Sequence, residues 1–282
     1  MLRLQSAVNR DATERVTFPV SIAFFVLIAL LPGGVWGALV TLNLSTAPAM
    51  PWAVPVMAIL LGAMVWYLLG YGPPSGTRAL RATCLRWHKI SRSQWHWSVV
   101  AGGASIVSLA GLWIVLSTLS HWQPNRLPSI GSLSPVTVVG FIIMGSLVAP
   151  LSEEAAYRGY LQVPLEQRFA GTTAVLVTSI LFACAHITHG LIPLKLLVYF
   201  LGRVYFGTLA LMTGSILPGI VAHIATDLTF FILVWPGDAR RAMGGGHPTI
   251  DPWFTVHCTQ TVTFAAIAVW GFVRLRRAPS AV

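Results

Sequence analysis

Apolar residues occupy this chain in eight long, nearly unbroken runs, and in none of them do apolar and polar positions alternate. The runs cover residues 18–42, 52–70, 98–119, 136–161, 173–187, 194–212, 216–234 and 254–273. Runs of about 20 apolar residues predict helices that cross a bilayer, whereas the strands of a membrane barrel would alternate over about 10 positions. The pattern therefore predicts an all-α polytopic membrane helix bundle of eight transmembrane helices. Residues 1–282 read as a single integral membrane domain, with no internal repeat and no inserted soluble domain. The first apolar run is too long for the core of a secretory signal and reads as a retained anchor.

Composition supports this picture. Hydrophobic residues make up 55% of the chain and charged residues 9%, against about 25% charged in an ordinary soluble domain. The formal net charge of +10 is read first as topology. Arg3, Arg10 and Arg15 precede the first run, and Arg78, Arg81, Arg86, Lys89 and Arg92 fall between the second and third. Arg168 follows the fourth run, and Arg274, Arg276 and Arg277 follow the eighth. With eight crossings these positions share one side, so both termini are expected to be cytoplasmic in a multi-pass protein of the cell inner (plasma) membrane. The opposite loops hold only Arg126, Lys195, Arg240 and Arg241. No nucleic-acid motif competes, and the expected partners are the lipid bilayer and a membrane protein or peptide.

The basic segment 72–97, with Trp87, Trp95 and Trp97, reads as lying along an anionic inner leaflet. Residues 237–252, "GDARRAMGGGHPTIDP", read as a loop before the last helix. Cys84, Cys184 and Cys258 are widely spaced and include no C-x-x-C, so neither a disulfide framework nor a cysteine zinc site is implied. Cys84 is expected to react with thiol reagents from the cytoplasmic side.

Three of the eight acidic residues, Glu153, Glu154 and Asp227, fall inside apolar runs. A charge at a helix centre costs roughly 2.5–3.5 kcal/mol on insertion scales, so such groups usually face the bundle interior and serve a function. In "LSEEAAYRGYLQ", Glu154 and Arg158 are four residues apart with Glu first, the favoured order for an ion pair on one helix face. Glu153 points about 100° away and is left without a local partner, as a general base would be. Two further runs bring imidazoles: Phe182, His186 and His189 in "FACAHITHG", and His223 with Asp227 one turn later in "GIVAHIATDL". Arg203, in the middle of "YFLGRVYFG", is as costly as the glutamates. It is expected to face inward, either paired with an acidic group or binding a substrate carboxylate.

The order E-E-x-x-x-R, F-x-x-x-H, H-x-x-x-N/D resembles the CAAX prenyl endopeptidase and bacteriocin-processing family, also called CPBP or Abi. The matching positions are Glu153, Glu154, Arg158, Phe182, His186, His223 and Asp227, within a core of residues 136–234. The resemblance implies a glutamate-dependent intramembrane endopeptidase in which Glu153 is the base. On this reading Glu153 and His186 hold and deprotonate a water, and His223 with Asp227 stabilises the oxyanion. Asp227 either is protonated by burial or accepts a bond from His223 one turn earlier and holds it as a cation facing the oxyanion. Glu154 and Arg158 set the charge balance and helix position, and Phe182 shapes the pocket wall. The expected substrate is a membrane-associated protein or peptide cut near an apolar terminal segment.

No cofactor is expected. Zinc is the alternative, because two histidines and a glutamate are a known ligand set, but H-E-x-x-H does not occur. Ser152 and Cys184 lack the surroundings of a nucleophile. From a different class, a non-proteolytic membrane binder such as a bacteriocin self-immunity factor or scaffold would use the same fold.

Overall fold

The computed structural model describes residues 18–120, 133–189, 192–236 and 250–280. Among them every regular element is helical: α1 (Phe18–Thr46), α2 (Ala53–Leu68), α3 (Arg78–Leu85), α4 (Arg92–Ser120) and α5 (Pro135–Glu153) come first. α5 continues without a break into a π-helical segment (Glu154–Leu161) and α6 (Gln162–Glu166). Then follow α7 (Gly171–Ala185), a 3-10 turn (His186–His189), α8 (Pro193–Thr213), α9 (Leu217–Thr229) with a π turn (Phe230–Val234), and α10 (Pro252–Arg276). Each of the eight apolar runs is a helix.

Six of these rods are long and apolar enough to cross a membrane. The exceptions, α2 and α7, have 16 and 15 residues. At 1.5 Å per residue they reach about 24 and 22 Å, short of a hydrocarbon core of about 30 Å. The fifth run thus ends as an α-helix at Ala185, and His186 stands on the 3-10 turn that follows. The N-terminal cations, Arg126, Arg240, Arg241 and nearly all of the loop 237–252 lie outside the described residues.

The sequence supplies the helix starts. Ser134 accepts from the Thr137 N–H with Pro135 in the first turn, and Asp251 accepts from the Phe254 N–H with Pro252 in the first turn. Both place an oxygen on an orphan donor and a proline where its missing N–H costs nothing. Packing is close where residues are small: a Cβ on Gly271 of α10 would stand 3.0 Å from the Ala101 backbone of α4. Such small-residue contacts let membrane helices approach without a hydrophobic drive between them. Large apolar side chains face outward instead, among them Leu30, Ile59 and Trp253. That inside-out distribution suits lipid rather than water.

Within the basic segment Arg78, Lys89 and Arg92 are exposed, as a surface strip requires, but Arg81 is not. Arg81 is fully buried beneath α2, its two terminal nitrogens donating to the carbonyls of Tyr67, Tyr71, Gly72 and Pro74. Arg86 pairs with Glu166, with Nη1 3.1 Å from Oε1. The Arg86 carbonyl accepts from Ile216 N at 3.1 Å, and the His88 carbonyl accepts from Ser215 Oγ at 2.7 Å. These residues clamp the loop onto α6 and onto the turn before α9. Cys84 is likewise buried, not reagent-accessible. Gly159 explains how closely α3 packs, since a Cβ there would stand 2.6 Å from the Cys84 carbonyl oxygen.

Candidate active site

The site is built on the junction between α5 and the π segment. Pro164 has no N–H to offer the carbonyl of Tyr160 four residues back, and its ring crowds that carbonyl. The helix widens just upstream: the Gln162 N–H reaches the Tyr157 carbonyl five residues back. The hydroxyl of Ser21 on α1 donates to the Tyr160 carbonyl in place of the missing N–H. Short π-helical stretches recur at functional sites because they re-aim side chains. Here the stretch begins at Glu154, directly after Glu153.

Both glutamates grip one cation from α8. Arg203 Nη2 donates to Glu153 Oε2 at 2.8 Å, and Arg203 Nη1 donates to Glu154 Oε1 at 3.1 Å. Glu153 therefore has a partner, contrary to the sequence expectation, because that partner lies 50 residues away on another helix. The pairing expected of Arg203 is present. The Glu154–Arg158 pair is present too, with Nε 3.7 Å from Oε2, and Arg158 also donates to the Arg203 carbonyl at 2.8 Å. Gly219 on α9 leaves room for the Glu154 carboxylate, since a Cβ there would approach Oε2 to 3.1 Å.

His223 sits against the same guanidinium, with Nδ1 3.0 Å from Arg203 Nη1 and Nε2 3.0 Å from Arg203 Nη2. A neutral imidazole has one acceptor nitrogen, so at most one of these contacts is a hydrogen bond. Nδ1 is also 3.1 Å from Glu154 Oε1, a partner that only accepts. This assigns the Nδ1 proton to the Glu154 contact and leaves Nε2 to accept from Arg203. Asp227 Oδ1 is 3.5 Å from Nε2, an ion-pair distance rather than a hydrogen bond. The group expected to orient His223 from one turn along its helix is thus displaced in that role by Glu154.

Phe182 does not shape the pocket wall. It is buried with Arg203 Cζ 3.5 Å above its ring centroid, and the His186 ring lies 4.1 Å away on centroids. It therefore supports two site residues from below. His186 Nδ1 lies 3.0 Å from the Phe182 carbonyl oxygen, which can only accept, so Nδ1 carries the proton and Nε2 is the acceptor.

A cavity of about 340 Å³ opens over this cluster. Glu153, His186, His223, Asp227 and Arg203 all line it, whereas Glu154, Arg158 and Phe182 do not. The carboxylates divide the same way: the Glu153 and Asp227 side chains are 21% and 20% exposed, and that of Glu154 only 1%. Three carboxylates face two guanidiniums here. Among the described residues no group of three His, Cys, Asp or Glu could hold a metal ion, since the Arg203 guanidinium occupies the space between the carboxylates.

The remaining lining is apolar and aromatic, including Trp113, Phe206 and Phe230. It also holds Lys195 and Tyr199, which sequence reasoning missed. Their signal was the recurrence of polar residues every four positions, Lys195, Tyr199 and Arg203, along an otherwise apolar helix. On α4 the lining runs from Ile106 to Trp113, about 21 to 32 Å along the helix from Arg92. The cavity therefore extends from mid-bundle toward the end opposite the basic loops.

Neither a curated protein nor a solved structure matches the chain. Residues 135–229 match a family model, and that stretch contains Glu153, Glu154, Arg158, His186, Arg203, His223 and Asp227. The segment that builds the site is thus similar to a membrane protease family, described as Type II CAAX prenyl endopeptidase Rce1-like.

Proposed function

We propose that this protein is an intramembrane endopeptidase that uses a glutamate-activated water, without a metal, to cut a membrane-associated protein or peptide near an apolar terminal segment. The observation that carries the proposal is the convergence of Glu153, His186, His223 and Asp227 on one largely apolar cavity within the bundle. A water held between Glu153 and the acceptor Nε2 of His186 attacks the scissile carbonyl. Its proton passes to Glu153, the glutamate whose side chain reaches the cavity. The oxyanion forms beside the Arg203 guanidinium, which lines the cavity, while His223 accepts from Arg203 at Nε2 and fixes its position, and Asp227 lines the cavity next to His223. Glu153 then returns the proton to the leaving amine, so one water is consumed and one acid and one amine appear. Glu154, Arg158 and Phe182 hold Arg203 and the histidines in place. The distribution of basic residues supports cytoplasmic termini in an inner (plasma) membrane and a cavity that faces the other side.

Comparison of protein termini in membranes from cells with the native chain and with Glu153→Gln tests this reading. New termini next to apolar segments should appear only with the native chain and should persist when purified protein is assayed with 1,10-phenanthroline. Loss on chelation with recovery on added zinc would make the site a metal site. Identical termini in the two membranes would favour the non-proteolytic binder.

A further inference from the structure

Among Glu153, His186, His223 and Asp227, only His186 stands outside an α-helix: α7 ends at Ala185 and His186 opens the 3-10 turn that follows. Helix ends fray, so a side chain there is held less firmly than one in a helix interior. The contact of Nδ1 with the Phe182 carbonyl, at 3.0 Å, ties the imidazole back to α7. Glu153 belongs to a different frame, because Arg203 of α8 donates to it at 2.8 Å. One water can bridge Glu153 and His186 Nε2 only if the two frames stay in register, since each hydrogen bond tolerates just about 2.6–3.2 Å.

Tyr199 links those frames. It stands on α8 four residues before Arg203, and both residues line the cavity together with His186. Its ring meets the imidazole with centroids 4.7 Å apart and planes inclined at 44°. The contacts close a circuit: Arg203 Cζ lies 3.5 Å from the Phe182 ring centroid, Phe182 lies 4.1 Å from His186, and His186 lies against Tyr199. About one helical turn then leads from Tyr199 back to Arg203. Tyr199 is itself seated edge-on against Trp113 of α4 at 6.3 Å, and Trp113 meets Phe230 of the π turn at 5.2 Å. The circuit is thus braced from α4 and α9. Aromatic pairs of this kind contribute roughly 0.5–1.5 kcal/mol each beyond their burial, enough to select one orientation of a ring.

We propose that Tyr199 is a positioning residue whose ring fixes the plane of the His186 imidazole, so that Nε2 faces the water held by Glu153. The inference rests on the peptidase reading for what that water does, but the orientation of His186 does not need turnover. The contact assigns this duty to the ring of Tyr199 and not to its hydroxyl.

The test uses full-length protein in nanodiscs with isotope-labelled histidine nitrogens, as the native chain, Tyr199→Leu and Tyr199→Phe. The His186 resonances are assigned by their loss in His186→Gln, and the separation of the two ring nitrogens reports the tautomer. In the native chain they should lie far apart, as a proton fixed on Nδ1 requires. In Tyr199→Leu they should move toward each other as the ring loosens and the proton is shared between the two sites, and Tyr199→Phe should restore the native separation. Turnover of an internally quenched eight-residue Ala/Leu peptide is measured alongside. Tyr199→Leu should lower kcat about 10–10²-fold with KM nearly unchanged, the scale of a misplacement of roughly 1 Å, and Tyr199→Phe should recover most of that loss. A native separation in Tyr199→Leu would overturn the proposal, and so would equal damage in Tyr199→Leu and Tyr199→Phe, which would assign the work to the hydroxyl. If Tyr199→Leu does not fold, Tyr199→Met takes its place, and a narrowed separation in Tyr199→Phe still overturns the proposal. Separations as expected without cleavage by the native chain would count against the peptidase reading and leave the positioning of His186 standing.

Discussion

Two buried arginines, Arg81 and Arg203, meet the same problem in opposite ways. Arg81 gives its terminal nitrogens to four carbonyls drawn from one stretch of backbone, residues 67–74, and its ring partner Tyr67 comes from that stretch as well. Nothing about that arrangement requires another ionised group. Arg203 instead takes two carboxylates and an imidazole from separate elements and rests on Phe182 beneath a cavity. Both arginines leave buried atoms without hydrogen-bond partners, Arg81 its own Nε and the Arg203 cluster Glu154 Oε2 and Arg158 Nε and Nη1, so the difference lies in which groups they do engage. A structural arginine is answered by neutral carbonyls close in sequence. A cation placed among carboxylates at a cavity is costly to assemble, and such arrangements cluster at sites of function.

The contrast can be broken most forcefully at Arg203. Arg203→Met removes the cation that Glu153 and Glu154 share and leaves Glu154 only Arg158, 3.7 Å away, a change that typically costs roughly 3–5 kcal/mol. The denaturation midpoint in mild detergent should fall sharply, and folded survivors should not turn over. Arg203→Lys restores charge without the two-pronged fork and should recover only part of the loss. Arg81→Met strands carbonyls rather than charges, at about 1–3 kcal/mol. It should lower the midpoint less and leave turnover per folded molecule unchanged. If Arg81→Met proved the more damaging to turnover, the division between the two arginines would fail.

The smallest effect concerns Cys84, held under the Arg81 loop. Burial pushes its thiol up from an ordinary 9.0 to about 11. A maleimide at pH 8 should label Cys184 and Cys258 in folded protein and reach Cys84 only after unfolding. The sign follows from the raised value: the buried neutral thiol favours the fold below about pH 9, and that contribution is lost as pH climbs toward 11. Rapid labelling of Cys84 at pH 8 in folded protein would show that the loop is not clamped.

How much of this was legible in the sequence depended on whether each feature is local. The eight helices followed from apolar run length. The Glu154–Arg158 pair followed from four-residue spacing, and its 3.7 Å contact agrees. The Glu153–Arg203 and Glu154–His223 contacts join residues 50 and 69 positions apart. No spacing rule reaches that far, so Glu153 read as unpaired and Asp227 as the natural partner of His223. Phe182 was expected inward, at the pocket wall; its place beneath Arg203 depends on a contact 21 residues away that no local pattern shows. The shortness of α7 was hidden because "FACAHITH" stays helix-compatible past Ala185, where the chain tightens into a 3-10 turn. Pro164 was a readable hint of irregularity, but only the Ser21 contact shows how the neighbouring helix compensates.

The central claim is that two adjacent glutamates have different duties, Glu153 at the cavity and Glu154 within the bundle. Turnover and unfolding midpoint, measured side by side on reconstituted Glu153→Gln and Glu154→Gln, test it most directly. For Glu153→Gln the account predicts a loss of turnover of about 10²–10⁴-fold with the midpoint nearly unchanged. For Glu154→Gln it predicts a fall of roughly 3–5 kcal/mol in stability, with turnover retained per folded molecule. Native turnover in Glu153→Gln, or lost turnover at an unshifted midpoint in Glu154→Gln, would contradict it.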